Sequence, residues 1–357
     1  MAAALLAAVL FFPTCANAIS AESAVLMDAQ TGRVLYEKNA EKQGLIASTT
    51  KIMTALVVCE QCNVLDRVRI PEEAVGIEGS SIYLQAGEVL TVQDLLYGLM
   101  LHSGNDAAVA LSIYCGGTVE GFVQLMNDKA YRLGLEDTHF VNPNGLDAPG
   151  HYSTAKDLAI LASHAMENPV FRQTVSTKTV KAGNRILHNH NKLLWQVEGA
   201  DGVKTGYTRA AGRILVSSAT RDGRRMIAVT MNDPDDWYDH AMLIENGFSQ
   251  YSVRQLVEEG DHIATVDVAG GTSTKVQLLA AEDFSYALTS REQPRIVIPG
   301  AGFVYAPVER GQDGGYAYVL LGECVIGKIS LVFGESIEQK REPERSFWQR
   351  AFGGHSE

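Results

Sequence analysis

Ala47-Ser48-Thr49-Thr50-Lys51-Ile52-Met53-Thr54-Ala55-Leu56-Val57 (residues 47–57) sets a Ser-x-x-Lys word at the head of an apolar pattern. Ile52, Met53, Leu56 and Val57 recur at helical spacing. That spacing places Ser48 in the first turn of a helix and Lys51 one turn on, over the same face. A glutamate at the fourth position would make a capping box, because its carboxylate accepts the N–H of the capping residue. Lysine has three donors and no acceptor, so it cannot serve that purpose. A serine hydroxyl facing a lysine amine is instead a usable nucleophile and base.

Two further words follow in order, Ser103-Gly104-Asn105 and Lys204-Thr205-Gly206. They add a second hydroxyl with an amide, then a cation beside a hydroxyl. Acyl transfer by a serine enzyme that uses lysine in place of histidine needs this set, and no single word is informative alone. A second Ser-x-x-Lys, Ser153-Thr154-Ala155-Lys156, competes for the first role. There Thr154 and Asp157 form an ordinary Thr-x-x-Asp cap. No Ser-x-Asn lies between Lys156 and Lys204 to complete a set, so the Ser48 word is preferred.

The chain has 357 residues, beyond a comfortable single core, so two domains are expected. With 46% hydrophobic and 20% charged residues it has the composition of an ordinary globular protein. A net charge of -12 without a basic run argues against nucleic-acid binding, which depends on clustered Lys and Arg.

Residues 1–18 read as an export signal. Ala2 to Phe12 is apolar and too short to span a bilayer, and Ala16-Asn17-Ala18 is a small-x-small cleavage site, although no Lys or Arg precedes the apolar run. Cys59-x-x-Cys62 falls at the end of the Ser48 helix, with no second pair to complete a zinc site. The expectation there is small buried hydrophobes or one local disulfide. His188 and His190 lack a third ligand at sensible spacing and are read as structural or substrate-side polar residues. No metal and no cofactor are expected.

Ala24–Ala29 and Val34–Tyr36 flank a Gly-containing turn and read as a hairpin. Thr91, with Asp94, caps a helix through Leu99, and Ser-Gly-Asn is the loop before a further helix from Ala107. Helices follow over Val119–Leu133 and Ala155–Met166. Strands are then expected over Asp201–Thr208, Ile214–Ala219 and Met226–Met231, and a helix over His240–Phe248. This is an α/β (α+β) first domain over residues 19–252. Short β-prone runs at His262–Val268, Lys275–Ala280, Arg295–Ile298, Tyr316–Leu320 and Lys328–Val332 read as a small all-β domain over residues 253–335. The charged tail, residues 336–357, contains Ser346-Phe347-Trp348-Gln349-Arg350-Ala351-Phe352, a candidate membrane-interface segment.

The order of the three words and their neighbours resembles the low-molecular-mass penicillin-binding proteins, and more narrowly the serine-type D-alanyl-D-alanine carboxypeptidases. Asn142-Pro143-Asn144-Gly145-Leu146 and His151-Tyr152-Ser153-Thr154-Ala155 add to the resemblance from outside the expected site. It implies a catalytic domain of the serine β-lactamase/transpeptidase-like type and covers the chain after the signal. Ser48 would attack the carbonyl of the penultimate D-alanine of a peptidoglycan stem pentapeptide, and Lys51, held neutral, would take its proton. Ser103 would relay a proton to the leaving nitrogen, and Asn105 would hold the acyl-side amide. Lys204, Thr205 and Gly206 would bind the substrate end, the first two at its carboxylate. The backbone N–H groups of Ser48 and Tyr207 would form the oxyanion hole, whose loss costs roughly 3 kcal/mol in comparable enzymes. β-Lactams would act as inhibitors, and the protein would work outside the cytoplasm, at the cell wall or the outer face of the cytoplasmic membrane. A class A β-lactamase shares the words but needs a Glu-x-x-Leu-Asn, and Glu136-Asp137-Thr138-His139-Phe140 does not supply it. Endopeptidase or transpeptidase action on the same acyl-enzyme differs only in the acceptor.

Overall fold

The computed structural model describes residues 19–300 and 302–341. The segment read as an export signal and the aromatic part of the tail lie outside the described residues. The chain divides into two compact units, one up to Ser249 and one from Gln250.

The first unit is built on an antiparallel sheet. Its five strands among the described residues run Val34–Lys38, Ser23–Asp28, Arg224–Met231, Gly212–Arg221 and Ala200–Thr208 in spatial order. Chain ends thus meet in the middle: the first strand pairs with Arg224–Met231 through Val25 opposite Val229. Both faces of the central strands are buried, and the alternation of side chains splits them between two cores. Val25, Met27, Ile227, Val229 and Val216 face a large helical core. Ala24, Leu26, Met226, Ala228 and Leu215 face Leu243 and Ile244 of the helix Asp236–Gln250. The turn at Asp222-Gly223 has positive φ at both residues (50° and 79°), the backbone that the Asp-Gly pair favours in a hairpin.

Helices on the first face place the site. Helix α1 spans Lys51–Gln61, α2 Val92–Leu101, α3 Asn105–Gly116, α4 Val119–Arg132 and α5 Ala155–Ala165. Thr91 and Asp94 form the reciprocal cap of α2, as the sequence predicts. Every residue of α1 from Lys51 to Val58 is buried, so the expected apolar stripe is an apolar cylinder within the fold. One expectation is corrected here. Ser48 sits in a short 3-10 turn, Ala47–Thr50, ahead of the α-helix, which begins at Lys51.

The second unit holds a six-stranded sheet in the order Arg295–Val297, Asp313–Leu321, Cys324–Phe333, Lys275–Ala280, His262–Ala269 and Phe303–Tyr305. A two-stranded ribbon pairs Ser252–Val257 with Phe284–Leu288. The strands at Ser252–Val257, Phe284–Leu288 and Phe303–Tyr305 escape the sequence reading, which needs longer alternation to distinguish strand from loop.

Candidate active site

Three segments converge on Lys51. The turn Ala47–Thr50 presents Ser48, and the Ser48 Oγ lies 3.0 Å from Lys51 Nζ. The start of α3 presents Asn105, whose Oδ1 accepts from Lys51 Nζ at 2.7 Å. A loop far along the chain presents Asn144, whose backbone carbonyl accepts from the same amine at 2.5 Å. Lys51 is fully buried. Burial holds its ammonium well below the ordinary lysine range, the neighbouring Lys204 charge adds to the effect, and Asp106 opposes it.

With the amine neutral, this geometry would leave one direction for proton transfer. A neutral lysine has two N–H donors and one lone pair. Two of its three partners, Asn105 Oδ1 and Asn144 O, can only accept, so they take the two donors. The lone pair is left for Ser48, the one partner with a proton to give.

The surroundings hold these groups in place. Ala47, next to Ser48, and Ser103 adopt positive φ (45° and 62°), sparsely populated backbone. Asp106 accepts from Ser81 Oγ (2.6 Å) and from the Ile82 and Leu84 amides, fastening the loop that carries Ser80 to the head of α3. His151 lies under Thr50: its Nδ1 accepts from the Val141 amide (3.0 Å), so its Nε2 carries the proton and donates to Thr50 Oγ1 (2.8 Å). Burial lowers this imidazole to about 4, which keeps it neutral in that arrangement.

The Asn142–Leu146 segment, read from sequence as outside the site, is part of it. Asn142 Oδ1 accepts from the Gly145 amide (2.7 Å), and Thr54 Oγ1 donates to Pro143 O (2.6 Å), so the loop that offers Asn144 O is pinned to α1. Gly145 has φ +86°, and a Cβ there would lie 1.9 Å from Ala47 O. Gly145→Ala is expected to lower the unfolding free energy by about 2–3 kcal/mol and to slow acylation of Ser48, because the Ser48 turn must shift. Urea midpoints and adduct formation rates check this, and a variant equal to wild type in both would show that the loop does not bear on the turn.

A cavity of about 660 Å³ opens over Ser48 and is lined by Ser80, Ser103, His190, Lys192, Thr205, Gly206, Tyr207, Arg213, Asp236 and Trp237. The edge strand Ala200–Thr208 forms one wall. A Cβ on Gly206 would meet the Ser48 and Thr49 amides at 3.3 Å, so glycine lets this strand run close past Ser48. Ser103 Oγ is buried and has no hydrogen-bond partner among the described residues, which leaves it free for a ligand. Asn105 is fully engaged: its Nδ2 donates to Glu78 O at 2.6 Å. Lys204 is buried, is brought down to about 7 by burial, and donates to Thr205 O (2.7 Å). Tyr207 is exposed on the rim.

Of the eight sequence-derived site residues, Ser48, Ser103, Thr205, Gly206 and Tyr207 line the cavity, while Lys51 and Asn105 join Ser48 through hydrogen bonds and Lys204 is bonded to Thr205 O. The second Ser-x-x-Lys does not join them. Thr154 caps α5 through the Asp157 amide (3.1 Å), Lys156 pairs with Glu41 at the surface, and Ser153 meets Thr138 Oγ1 at 2.7 Å. Of the two histidines weighed as ligands, His190 lines the cavity while His188 contacts Thr179 Oγ1 at 3.1 Å. Trp237, flanked by Lys192 and Arg213 with Arg213 paired to Asp236 at 2.6 Å, was missed from sequence. No local spacing connects those residues to Ser48. Among the described residues Asp236 is the only carboxylate lining the cavity, and Glu136 is exposed elsewhere.

Fold and site together fit a serine acyl-transfer enzyme. The D-alanyl-D-alanine carboxypeptidase family matches residues 12–235, and the C-terminal domain of penicillin-binding protein 5 matches residues 251–339. D-alanyl-D-alanine carboxypeptidase DacF of Bacillus subtilis is 35% identical, over 88% of this chain and 84% of its own length. Penicillin-binding protein 5 of Haemophilus influenzae superposes with a TM-score of 0.78 at 31% identity, covering 90% of this chain and 98% of that one. A Streptomyces DD-transpeptidase superposes with a TM-score of 0.62 at 38% identity over 65% of this chain and 98% of its own. The chain belongs to the D-alanyl-D-alanine carboxypeptidase family, the low-molecular-mass penicillin-binding proteins, and is a serine-type carboxypeptidase.

Proposed function

We propose that Ser48 is the nucleophile by which this enzyme removes the terminal D-alanine from peptidoglycan pentapeptide stems, outside the cytoplasm. The observation that carries this reading is the triple coordination of Lys51, which leaves only Ser48 able to supply its lone pair with a proton. Ser48 Oγ attacks the carbonyl of the penultimate D-alanine as Lys51 takes the hydroxyl proton. The oxyanion then forms against the Ser48 and Tyr207 amides, which close approach at Gly206 brings to one side of the cavity. Ser103, buried and unpartnered, passes a proton to the leaving nitrogen. Asn105 orients Lys51 and holds the acyl-side amide by exchanging its bond to Glu78 O. Thr205 meets the substrate carboxylate, with Lys204 behind it as counter-charge. Water resolves the ester, and a β-lactam occupies the same route as an inhibitor. The short charged tail is a candidate for peripheral contact with the membrane.

Intact-mass detection of a penicilloyl adduct on Ser48, with D-alanine release from a pentapeptide measured alongside, tests the reading. Adduct without release would favour transpeptidation, and neither would overturn it. Because Lys204 is assigned to the carboxylate, Lys204→Ala should cut kcat/KM roughly 10- to 100-fold on a free-carboxylate substrate. It should do far less on the amide or ester analogue. Equal losses on both would remove Lys204 from that role.

A further inference from the structure

The two helices that open at the site also carry the cysteines. Helix α1 ends at Gln61 with Cys62 just beyond it, and α3 closes with Cys115-Gly116. The Lys51–Asn105 hydrogen bond ties their first residues together at 2.7 Å, so the helices run side by side in one direction. At the far end Tyr114 Oη donates to Asp66 Oδ2 (2.9 Å), which fastens the last turn of α3 to the segment just beyond Cys62. Cys59, Cys62 and Cys115 pack against the same core, and all three thiols are free. The local Cys59–Cys62 disulfide weighed from sequence is not formed. Cys62 has left the helix with extended backbone (φ −118°, ψ 147°), and its thiol and that of Cys115 act on one another. Both are part-exposed, so a small reagent can reach them.

We propose that Cys62 and Cys115 are a disulfide-forming pair that clamps α1 to α3 at the end opposite the active site. The oxidant is a small disulfide such as oxidised glutathione. The Cys62 thiolate attacks one sulfur of that disulfide and expels a thiolate, giving a mixed disulfide on Cys62. Cys115 then loses its proton to solvent and attacks the Cys62 sulfur, expelling the second thiolate. In sum two cysteine thiols are oxidised to one disulfide and the reagent is reduced to two thiols. The Cys115 thiol lowers the Cys62 thiol and so favours it as the first attacker. Cys59 is pushed up to about 12 by burial and the neighbouring Glu60, which keeps it protonated and out of the exchange. The pairing rests on the extracytoplasmic reading only for its oxidant in the cell.

The test treats the whole chain with reduced or oxidised glutathione, then maps linked peptides by mass spectrometry without reduction and measures thermal midpoints. Oxidation should yield a Cys62–Cys115 peptide and raise the midpoint by about 5–10 °C, because a long loop is closed in the unfolded chain. Cys59→Ser should keep both results and Cys62→Ser should lose both. If Cys62→Ser fails to fold, wild type with and without reductant carries the same comparison. A Cys59–Cys62 linkage, a mixed disulfide that persists on Cys62, or an unchanged midpoint would overturn the proposal. A chain that forms the link yet releases no D-alanine would count against the catalytic reading alone.

Discussion

Ser48→Ala should abolish the penicilloyl adduct and reduce D-alanine release by about 10⁴-fold or more, the scale on which loss of an essential nucleophile acts. The substitution removes one oxygen and nothing else that the fold uses. Lys51 keeps Asn105 Oδ1 and Asn144 O as acceptors, so its buried amine stays satisfied. Thr49 and Thr50 still close the turn through their hydroxyls onto Ile46 O (2.5 Å) and Ala47 O (2.8 Å). Circular dichroism and the thermal midpoint should therefore match wild type within experimental error. Intact-mass spectrometry with penicillin decides the matter. An adduct that persists and maps to Ser153 would show that the other Ser-x-x-Lys is the reactive one.

Stability should fall steeply on acidification from pH 7 to pH 4, ahead of any general carboxylate titration. Two imidazoles are responsible. His240 is fully buried, contacts Ser217 Oγ and Thr230 Oγ1 at 2.5 and 2.9 Å, and is brought down to about 3 by burial. His151 is brought down to about 4 by burial. Each has a folded pKa below its unfolded value near 6.5, so the unfolded chain binds more protons throughout the interval between them. Unfolding then takes up protons, and stability is complete above about pH 6.5 and declines as pH falls toward the folded values. At pH 4 the two together remove about 5–6 kcal/mol, comparable to the whole stability of many domains. Urea unfolding across this range checks the size, and the His240 ring-proton NMR shift checks the cause. A stability that stays flat down to pH 4, or a His240 that titrates near 6.5, would sink this account. Since His151 holds the Thr50 turn, acylation of Ser48 should decline in the same interval.

Within this chain the local words, capping pairs and turn residues could be read in advance because each depends on neighbours a few positions apart. Thr91 with Asp94, Thr154 with Asp157 and Asp222-Gly223 form their cap or turn wherever the rest of the chain goes. The Ser-x-x-Lys pair is local in the same sense, and so is the reason lysine cannot be a cap. The unbroken apolar runs Ala24–Met27 and Met226–Val229 suit strands buried on both faces, and they pair in the middle of the sheet. What the sequence could not disclose is everything that depends on residues meeting across long separations. That Asn144 O would take a donor from Lys51, that Trp237 and Arg213 would wall the cavity, and that Cys62 would turn to Cys115 instead of Cys59 are products of packing. The same holds for the state of the lysine. Its identity and spacing mark it as a candidate base, and complete burial beside a second lysine, with two acceptors on its hydrogens, is what would free its lone pair for Ser48. Desolvation is a property of the closed interior, and no short run of residues contains it.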